Sequence, residues 1–147
     1  MKDGSSPGLD RREFVGRCAA ITLTAMLTGC ASLVVRHVTP VNGVIELALQ
    51  QYPELSQPGG SLKILPSGST EQIYVLVLND GSIAALSPIC THLACTVEVQ
   101  ADLLVCPCHG STYDRSGQVL RGPAARALKQ YRVGRLANDV ISIDLRS

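Results

Sequence analysis

Two short stretches of the sequence concentrate sulfur and imidazole side chains. CTHLAC covers residues 90–95, and CPCHGS covers residues 106–111. Together they hold four of the six cysteines and two of the three histidines in this chain of 147 residues. Thiolates and imidazoles bind transition metals, and thiols also exchange electrons. We therefore treat both stretches as candidate parts of one site.

Three kinds of site use these side chains. A structural zinc site takes four cysteine or histidine ligands in a tetrahedron. A redox thiol pair takes a C-x-x-C unit, and that unit does not occur in the sequence. An iron–sulfur cluster can combine cysteine and histidine ligands. Zinc and an iron–sulfur cluster remain as alternatives.

Redundancy in the two stretches favours the cluster. Each stretch contains one cysteine and one histidine, two or three positions apart, and one further cysteine. A zinc site would leave two potential ligands unused, one in each stretch. A [2Fe–2S] cluster with one cysteine pair and one histidine pair accounts for all six side chains, provided that the further cysteines bond to each other.

The stretches CTHLAC and CPCHGSTYD resemble the two cluster-binding loops of Rieske iron–sulfur proteins. The sequence GQVLRGPAARAL that follows resembles the third, proline-containing loop of that family. The resemblance covers about residues 40–147. It implies an all-β fold, a small antiparallel β sandwich with a cluster-binding subdomain. It also implies one [2Fe–2S] cluster per chain.

By the same resemblance, Cys90 and Cys106 would bind the inner iron of the cluster, and His92 and His109 the outer iron. Histidine ligands leave the cluster less negative than four thiolates would. An added electron is therefore opposed less, and the potential is expected to lie within about −150 to +300 mV.

Other positions of the two loops match family residues that surround the cluster. Cys95 and Cys108 would form a disulfide that ties the loops together. Ser111 and Tyr113 would donate hydrogen bonds to cluster sulfur, and Leu93 would shield the cluster. Rieske ferredoxins and oxygenase domains usually lack this cysteine pair, so its presence indicates the high-potential, quinol-linked branch.

The sequence departs from the family pattern at two positions. The family usually has glycine where Ala94 stands, and we expect a slightly different backbone there. The third loop, residues 121–126, keeps Pro123, but Ala125 replaces the second proline of the usual Gly-Pro-Ala-Pro. We expect this loop to be less stiff as a result.

Residues 1–35 have the layout of an export signal, with a basic region followed by an apolar region. Arg11 and Arg12 precede an uncharged run from Cys18 to Val35. The arginine pair resembles the twin-arginine consensus, which directs export of proteins already folded around a cofactor.

The sequence LTGC at residues 27–30 resembles a lipobox, which predicts a lipid on Cys30. An uncleaved membrane anchor is the main alternative, because eighteen uncharged residues just suffice to span a bilayer. A soluble cleaved product is the third. All three place the remaining chain on the far side of the cytoplasmic membrane.

After a tether at residues 36–43, the segment 44–147 is predicted to form the β domain. Apolar runs and alternating patterns predict strands, and NDG at residues 79–81 predicts a hairpin turn. The predicted strands cover residues 44–50, 61–65, 73–78, 82–87 and 140–145.

A net charge of +1 gives no indication of nucleic-acid binding. The predicted function is one-electron transfer, with no substrate turnover by this chain alone. The favoured setting is a quinol-oxidising cytochrome bc-type complex, with quinol and cytochrome b as partners and a c-type cytochrome as acceptor. The alternative is a stand-alone carrier, or the small subunit of a molybdenum enzyme of the arsenite oxidase type.

Overall fold

The computed structural model describes residues 34–147, which form eleven strands and two short 3-10 turns. The all-β prediction is confirmed. The turns are Leu49–Gln51 and Pro53–Leu55. The strands are β1 Val35–Val38, β2 Val44–Ala48, β3 Ser61–Pro66, β4 Ile73–Val77, β5 Ile83–Leu86, β6 Glu98–Gln100, β7 Leu103–Val105, β8 Thr112–Asp114, β9 Val119–Arg121, β10 Gln130–Arg135 and β11 Val140–Asp144.

Seven strands form the base sheet, in the order β1-β3-β4-β5-β10-β11-β2. β4 is buried along its whole length, as its unbroken apolar sequence IYVLV requires of a central strand. All pairings in the sheet are antiparallel except that of β1 with β3, which is parallel. β1 includes residues 36–38, so this part of the expected tether belongs to the sheet.

The strands of the base sheet enclose one core, which is mainly aliphatic. Ile45 and Leu47 of β2 are buried in the same cluster as Leu62 and Ile64 of β3. β2 and β3 lie near opposite ends of the strand order, so the sheet must fold back on itself to bring them together. This gives the two-layered sandwich that the family resemblance implied.

The other four strands form a second, smaller sheet in the order β6-β7-β8-β9. Each is only three residues long, and none was predicted from the sequence. We call this sheet and residues 87–128 around it the cluster unit. Its core packs on the outer face of the base sheet, where Tyr74, Leu76 and Leu86 contribute buried side chains.

Arg11, Arg12 and Cys30, the predicted export and lipidation residues, lie outside the described residues. Within residues 34–147 there is no helix with the length and hydrophobicity that crossing a bilayer requires.

Candidate metal centre

The two cysteine- and histidine-containing loops share one backbone conformation. In each, the first cysteine donates its N–H to the carbonyl five residues later and accepts an N–H four residues later. The bonds are Cys90 N to Cys95 O (2.8 Å), Ala94 N to Cys90 O (2.9 Å), Cys106 N to Ser111 O (2.8 Å) and Gly110 N to Cys106 O (3.0 Å). The loops therefore form a pair of equivalent turns.

Ala94 and Gly110 occupy equivalent positions in these turns, and both have left-handed backbones. Their φ angles are 58° and 71°. Glycine enters this region without steric cost, whereas Cβ makes it unfavourable for alanine. Ala94 nevertheless adopts the left-handed conformation and donates its N–H to Cys90 as Gly110 does to Cys106, so the first turn has the same backbone conformation as the second.

The disulfide implied by the resemblance is confirmed. Cys95 and Cys108 are joined, with an S–S distance of 2.08 Å, and the bond connects the two turns. Cys90 and Cys106 are free and buried. The sulfur of Cys106 lies within 4.8 Å of both disulfide sulfurs, but these two are oxidised and offer no thiolate. Among residues 34–147, the thiols available to a metal are those of Cys90 and Cys106.

The two histidines meet at the outer end of the unit. Their ring centroids are 4.9 Å apart and the rings are perpendicular. Nδ1 of His92 is buried without a hydrogen-bond partner, which is unfavourable for a polar atom unless it binds something. Two free buried thiols and an unpartnered imidazole nitrogen fit a metal centre with mixed ligands.

Tyr113 controls the electrostatics around Cys90. Its hydroxyl lies 3.3 Å from the Cys90 sulfur and 3.2 Å from Oγ1 of Thr91. Burial opposes ionisation of the Cys90 thiol, but hydrogen bonds from Tyr113, from Cys106 and from the backbone of residues 92 and 93 together outweigh it and lower the pKa of the thiol. Burial and the adjacent sulfur raise the pKa of Tyr113. The site thus favours a thiolate beside a protonated phenol.

The proline loop, residues 121–126, closes over the second turn. The backbone N–H of Ala124 donates to Oγ of Ser111 at 3.2 Å. A Cβ at Gly122, whose φ is +106°, would lie 2.5 Å from the Cα of Ser111, so only glycine fits there. Ser111, predicted to contact the cluster, therefore also holds the proline loop in place.

The proline loop is tied to the first turn as well. Oγ1 of Thr91 donates to the carbonyl of Arg126 at 2.6 Å. Arg126 directly follows Ala125, which replaces the usual second proline. The hydrogen bond supplies a local constraint on the loop where a proline ring is absent. Pro123 itself is exposed.

A buried arginine joins the cluster unit to the base sheet. Arg115 is only 5% exposed, and burial lowers its pKa from the ordinary value. No salt bridge to Arg115 is found among residues 34–147. Its guanidinium instead donates to the carbonyls of Val77 (3.3 Å), Ala101 (2.8 Å), Gly59 (2.9 Å) and Gly60, and to Oγ of Ser61 (2.8 Å).

Sequence reasoning missed Arg115, Thr91 and the bond from the Tyr74 hydroxyl to the carbonyl of Val97 (2.8 Å). Nothing in the local sequence shows that Arg115 is buried, because its acceptors come from distant segments. The shared spacing of the two turns was visible, since Ala94 and Gly110 each follow a cysteine by four positions. Leu93, the predicted shield, is 62% exposed and forms an apolar tip beside His92.

Comparison with known proteins identifies the family. The family described as Rieske [2Fe-2S] domain matches residues 55–132. The cytochrome b6-f complex iron-sulfur subunit of Chlorobaculum thiosulfatiphilum is 33% identical over 150 residues, covering 97% of this chain and 80% of the relative. The chain belongs to the Rieske iron–sulfur family. It is therefore an electron carrier with a [2Fe–2S] cluster, as predicted.

A second relative of the Rieske chain is the cytochrome b6-f complex iron-sulfur subunit of Chlorobaculum tepidum. It is 35% identical over 124 residues, which cover 83% of this chain and 66% of the relative. This chain thus spans slightly less than two thirds of that protein. Among solved structures, the quaternary ammonium Rieske monooxygenase CntA has a TM-score of 0.55 at 18% identity, covering 63% of this chain and 30% of CntA. That likeness concerns the fold alone.

Proposed function

We propose that Cys90, His92, Cys106 and His109 bind one [2Fe–2S] cluster between the two turns. The observation that supports this ligand set is the unpartnered Nδ1 of His92 beside two free buried thiols. The cluster would supply one-electron redox chemistry at the relatively high potential typical of mixed cysteine and histidine ligation.

The surrounding residues support this role. Tyr113 is placed to donate to the Cys90 sulfur, and hydrogen bonds to ligand sulfur stabilise added negative charge. Ser111 would donate its own hydroxyl proton toward the cluster while accepting the N–H of Ala124. The disulfide between Cys95 and Cys108 would hold the turns at a fixed separation.

We further propose that the chain is the iron–sulfur subunit of a quinol-oxidising complex of the cytochrome bc type. The two relatives described above are cytochrome b6-f subunits, and the disulfide indicates the quinol-linked branch. His109 and Leu93 are exposed at the tip, where a quinol headgroup can approach. Electrons would then pass to a c-type cytochrome.

Affinity purification of the tagged full-length chain from solubilised membranes tests this assembly. The expected result is a complex with b-type haem that transfers electrons from quinol to cytochrome c. A Cys106→Ser variant should lose that activity while still assembling. Recovery with a molybdenum cofactor enzyme, and no b-type haem, would support the alternative partner instead.

One observation favours that alternative. Residues 36–38, expected in a tether, are part of β1, which leaves less free chain to let the domain move between partners. A fixed small subunit needs no such movement. The two assignments differ in the cofactor that copurifies, so the same purification decides between them.

Membrane attachment and export also belong to the proposal. Arg11 and Arg12 would direct export of the folded protein, and Cys30 would carry a lipid or lie within an uncleaved anchor. Changing both arginines to lysine should leave the protein in the cytoplasm. The mass of the mature N-terminus distinguishes an acylated Cys30 from an uncleaved segment, and a cytoplasmic wild-type protein would contradict export.

A further inference from the structure

Positive charge is unevenly distributed over the described residues. Residues 34–147 contain nine lysine and arginine side chains and nine aspartate and glutamate side chains. Five of these cations lie between Arg121 and Arg135, a stretch without any acidic residue. The concentration is therefore a local feature and does not result from a basic chain.

Two of these cations lie beside the candidate metal centre. Arg121 of β9 is the pairing partner of Thr112, which follows the second turn directly. The carbonyl of Arg126 accepts the hydroxyl of Thr91, the residue after Cys90. Both arginine side chains are exposed. They occupy the first and last positions of the proline loop, which is bonded to both turns.

Lys129 extends this group. Its carbonyl accepts the N–H of Ser87 at 2.9 Å, three residues before Cys90, and its ammonium lies 4.6 Å from the ring centroid of Tyr131. We define Arg121, Arg126 and Lys129 as the proline-loop face.

None of these three cations takes part in a salt bridge between residues 34–147. Arg132 differs, because it lies opposite Asp144 in the sheet, where its charge contributes to lowering the pKa of that carboxyl. The proline-loop face thus keeps three exposed charges that form no salt bridge within the described chain, although Glu71 lies near Lys129, since its carboxylate accepts the hydroxyl of Ser87 at 2.6 Å.

We propose that the proline-loop face binds an acidic redox protein, which exchanges electrons with the centre between the two turns. This inference rests on the proposed cluster and names the chemistry of its partner. Complementary charge speeds association and orients the partner. An anionic membrane would also be attracted, but a lipid surface cannot take up an electron, and the face borders the residues proposed to bind the cluster.

Two forms of one oxidant test the charge of the partner. Ferric cytochrome c is basic, and its succinylated derivative is acidic while keeping the same haem. In stopped-flow mixing, one electron leaves the reduced Rieske protein and converts ferric to ferrous haem. The succinylated form should react faster at low ionic strength, and its rate should fall as salt is added.

Charge-reversal variants locate the effect. Arg126→Glu should slow the reaction with succinylated cytochrome c severalfold, and Arg121→Glu with Arg126→Glu by about tenfold or more at low salt. Arg135→Glu is the matched control, because it changes net charge equally. Arg135 lies at the far end of β10, about 17 Å from the end next to Lys129. It should leave the rate nearly unchanged.

A binding measurement separates docking from electron transfer. Ferrous succinylated cytochrome c cannot accept an electron, and the reduced Rieske protein cannot take one from it, so its titration into the reduced, ¹⁵N-labelled protein reports contact alone. Amide shifts should concentrate at the proline-loop face and diminish in Arg126→Glu. Equal effects of Arg126→Glu and Arg135→Glu, or rates independent of salt, would overturn the proposal.

Vesicles containing anionic lipid test the other kind of partner. Binding to these vesicles that is lost in Arg126→Glu, with no shifts from the cytochrome, would assign the face to a membrane and overturn the inference. If the wild-type protein reduces neither cytochrome, the proposed function fails, while the titration still decides whether the face binds an acidic protein.

Discussion

The base sheet encloses twelve buried residues, all aliphatic except Tyr131. The cluster unit contributes seven residues to its own core, among them two free cysteines and one tyrosine, and packs them on three residues of the base sheet. The strands of the base sheet are four to six residues long, and those of the cluster unit are three. Such short strands bury little surface, and burial of apolar area is the main stabilising term in folding. The cluster unit depends on polar and covalent links instead.

The base sheet mainly provides stability, whereas the cluster unit positions the groups that carry the chemistry. The base sheet tolerates changes that conserve volume, because its core is held by non-directional contacts. The cluster unit needs particular donors and acceptors at fixed positions, since a metal centre requires its ligands to be oriented. Substitutions in the two regions should therefore differ in what they change.

Arg115 is the link between the two regions, and its replacement should have the largest effect. Arg115→Met removes the hydrogen bonds that a buried guanidinium makes to both regions and should lower the free energy of unfolding by about 3 kcal/mol or more. Arg115→Lys should recover only part of the stability lost in Arg115→Met, because an ammonium cannot reach acceptors on several sides. Denaturant unfolding measures both. Arg126→Met, at an exposed arginine, is the control, and an equal effect there would contradict the account.

Loss of the disulfide should weaken the cluster unit and leave the base sheet intact. The bond between Cys95 and Cys108 spans 13 positions, and a closed loop of that size contributes about 3 kcal/mol. In the double Cys→Ser variant, visible absorbance of the cluster should bleach at a lower temperature than in the wild type. Hydrogen exchange at β3 and β4 should change little. Simultaneous loss of protection there would show that the regions unfold as one.

Tyr113 should affect potential and stability together, whereas a tyrosine of the base sheet should affect stability alone. Tyr113→Phe removes a hydrogen bond to the Cys90 sulfur that favours the reduced state. If this hydrogen bond stabilises the reduced state by about 1 kcal/mol, its loss lowers the reduction potential by about 40 mV for a one-electron couple. Tyr74→Phe removes a buried hydroxyl that bonds Val97 and should leave the potential unchanged. Protein-film voltammetry compares the two variants, and equal shifts would remove the assigned role of Tyr113.

The smallest effect is expected at Ala94. Replacement by glycine relieves the left-handed backbone and should raise the free energy of unfolding by about 0.5–1 kcal/mol, after allowance for the greater freedom of glycine in the unfolded chain. The converse change, Gly110→Ala in the equivalent turn, should lower it by a similar amount. Thermal unfolding measures both. A destabilised Ala94→Gly would mean that the alanine methyl group makes contacts that outweigh its strain.

Strand positions in the base sheet were predictable because its strands are long enough to show a clear apolar or alternating pattern. β3, β4, β5 and β11 coincide with predicted runs to within one residue at each end. β10 was missed because its sequence, QYRVGR, has no clear apolar pattern. Tyr131 is its one buried residue. β6 to β9 are too short for periodicity to emerge.

The candidate site was predictable where the sequence contains the chemistry itself. Cysteine and histidine spacing indicated the cluster, and the resemblance supplied the disulfide that the structure confirms. The ties made by Thr91 and Arg115 could not be predicted, because their backbone acceptors are carbonyls 14 to 56 residues away in sequence. Such contacts depend on how the strands are arranged in the fold, and the local sequence does not reveal that arrangement.

Pulsed EPR of the reduced protein tests the central claim most directly. Two iron atoms and two acid-labile sulfides should be found in each chain. The spectra should show nitrogen couplings from two histidines, and His92→Cys or His109→Cys should each remove one of them. A preparation with zinc and no labile sulfide, or a cluster without any nitrogen coupling, would contradict the ligand set of Cys90, His92, Cys106 and His109.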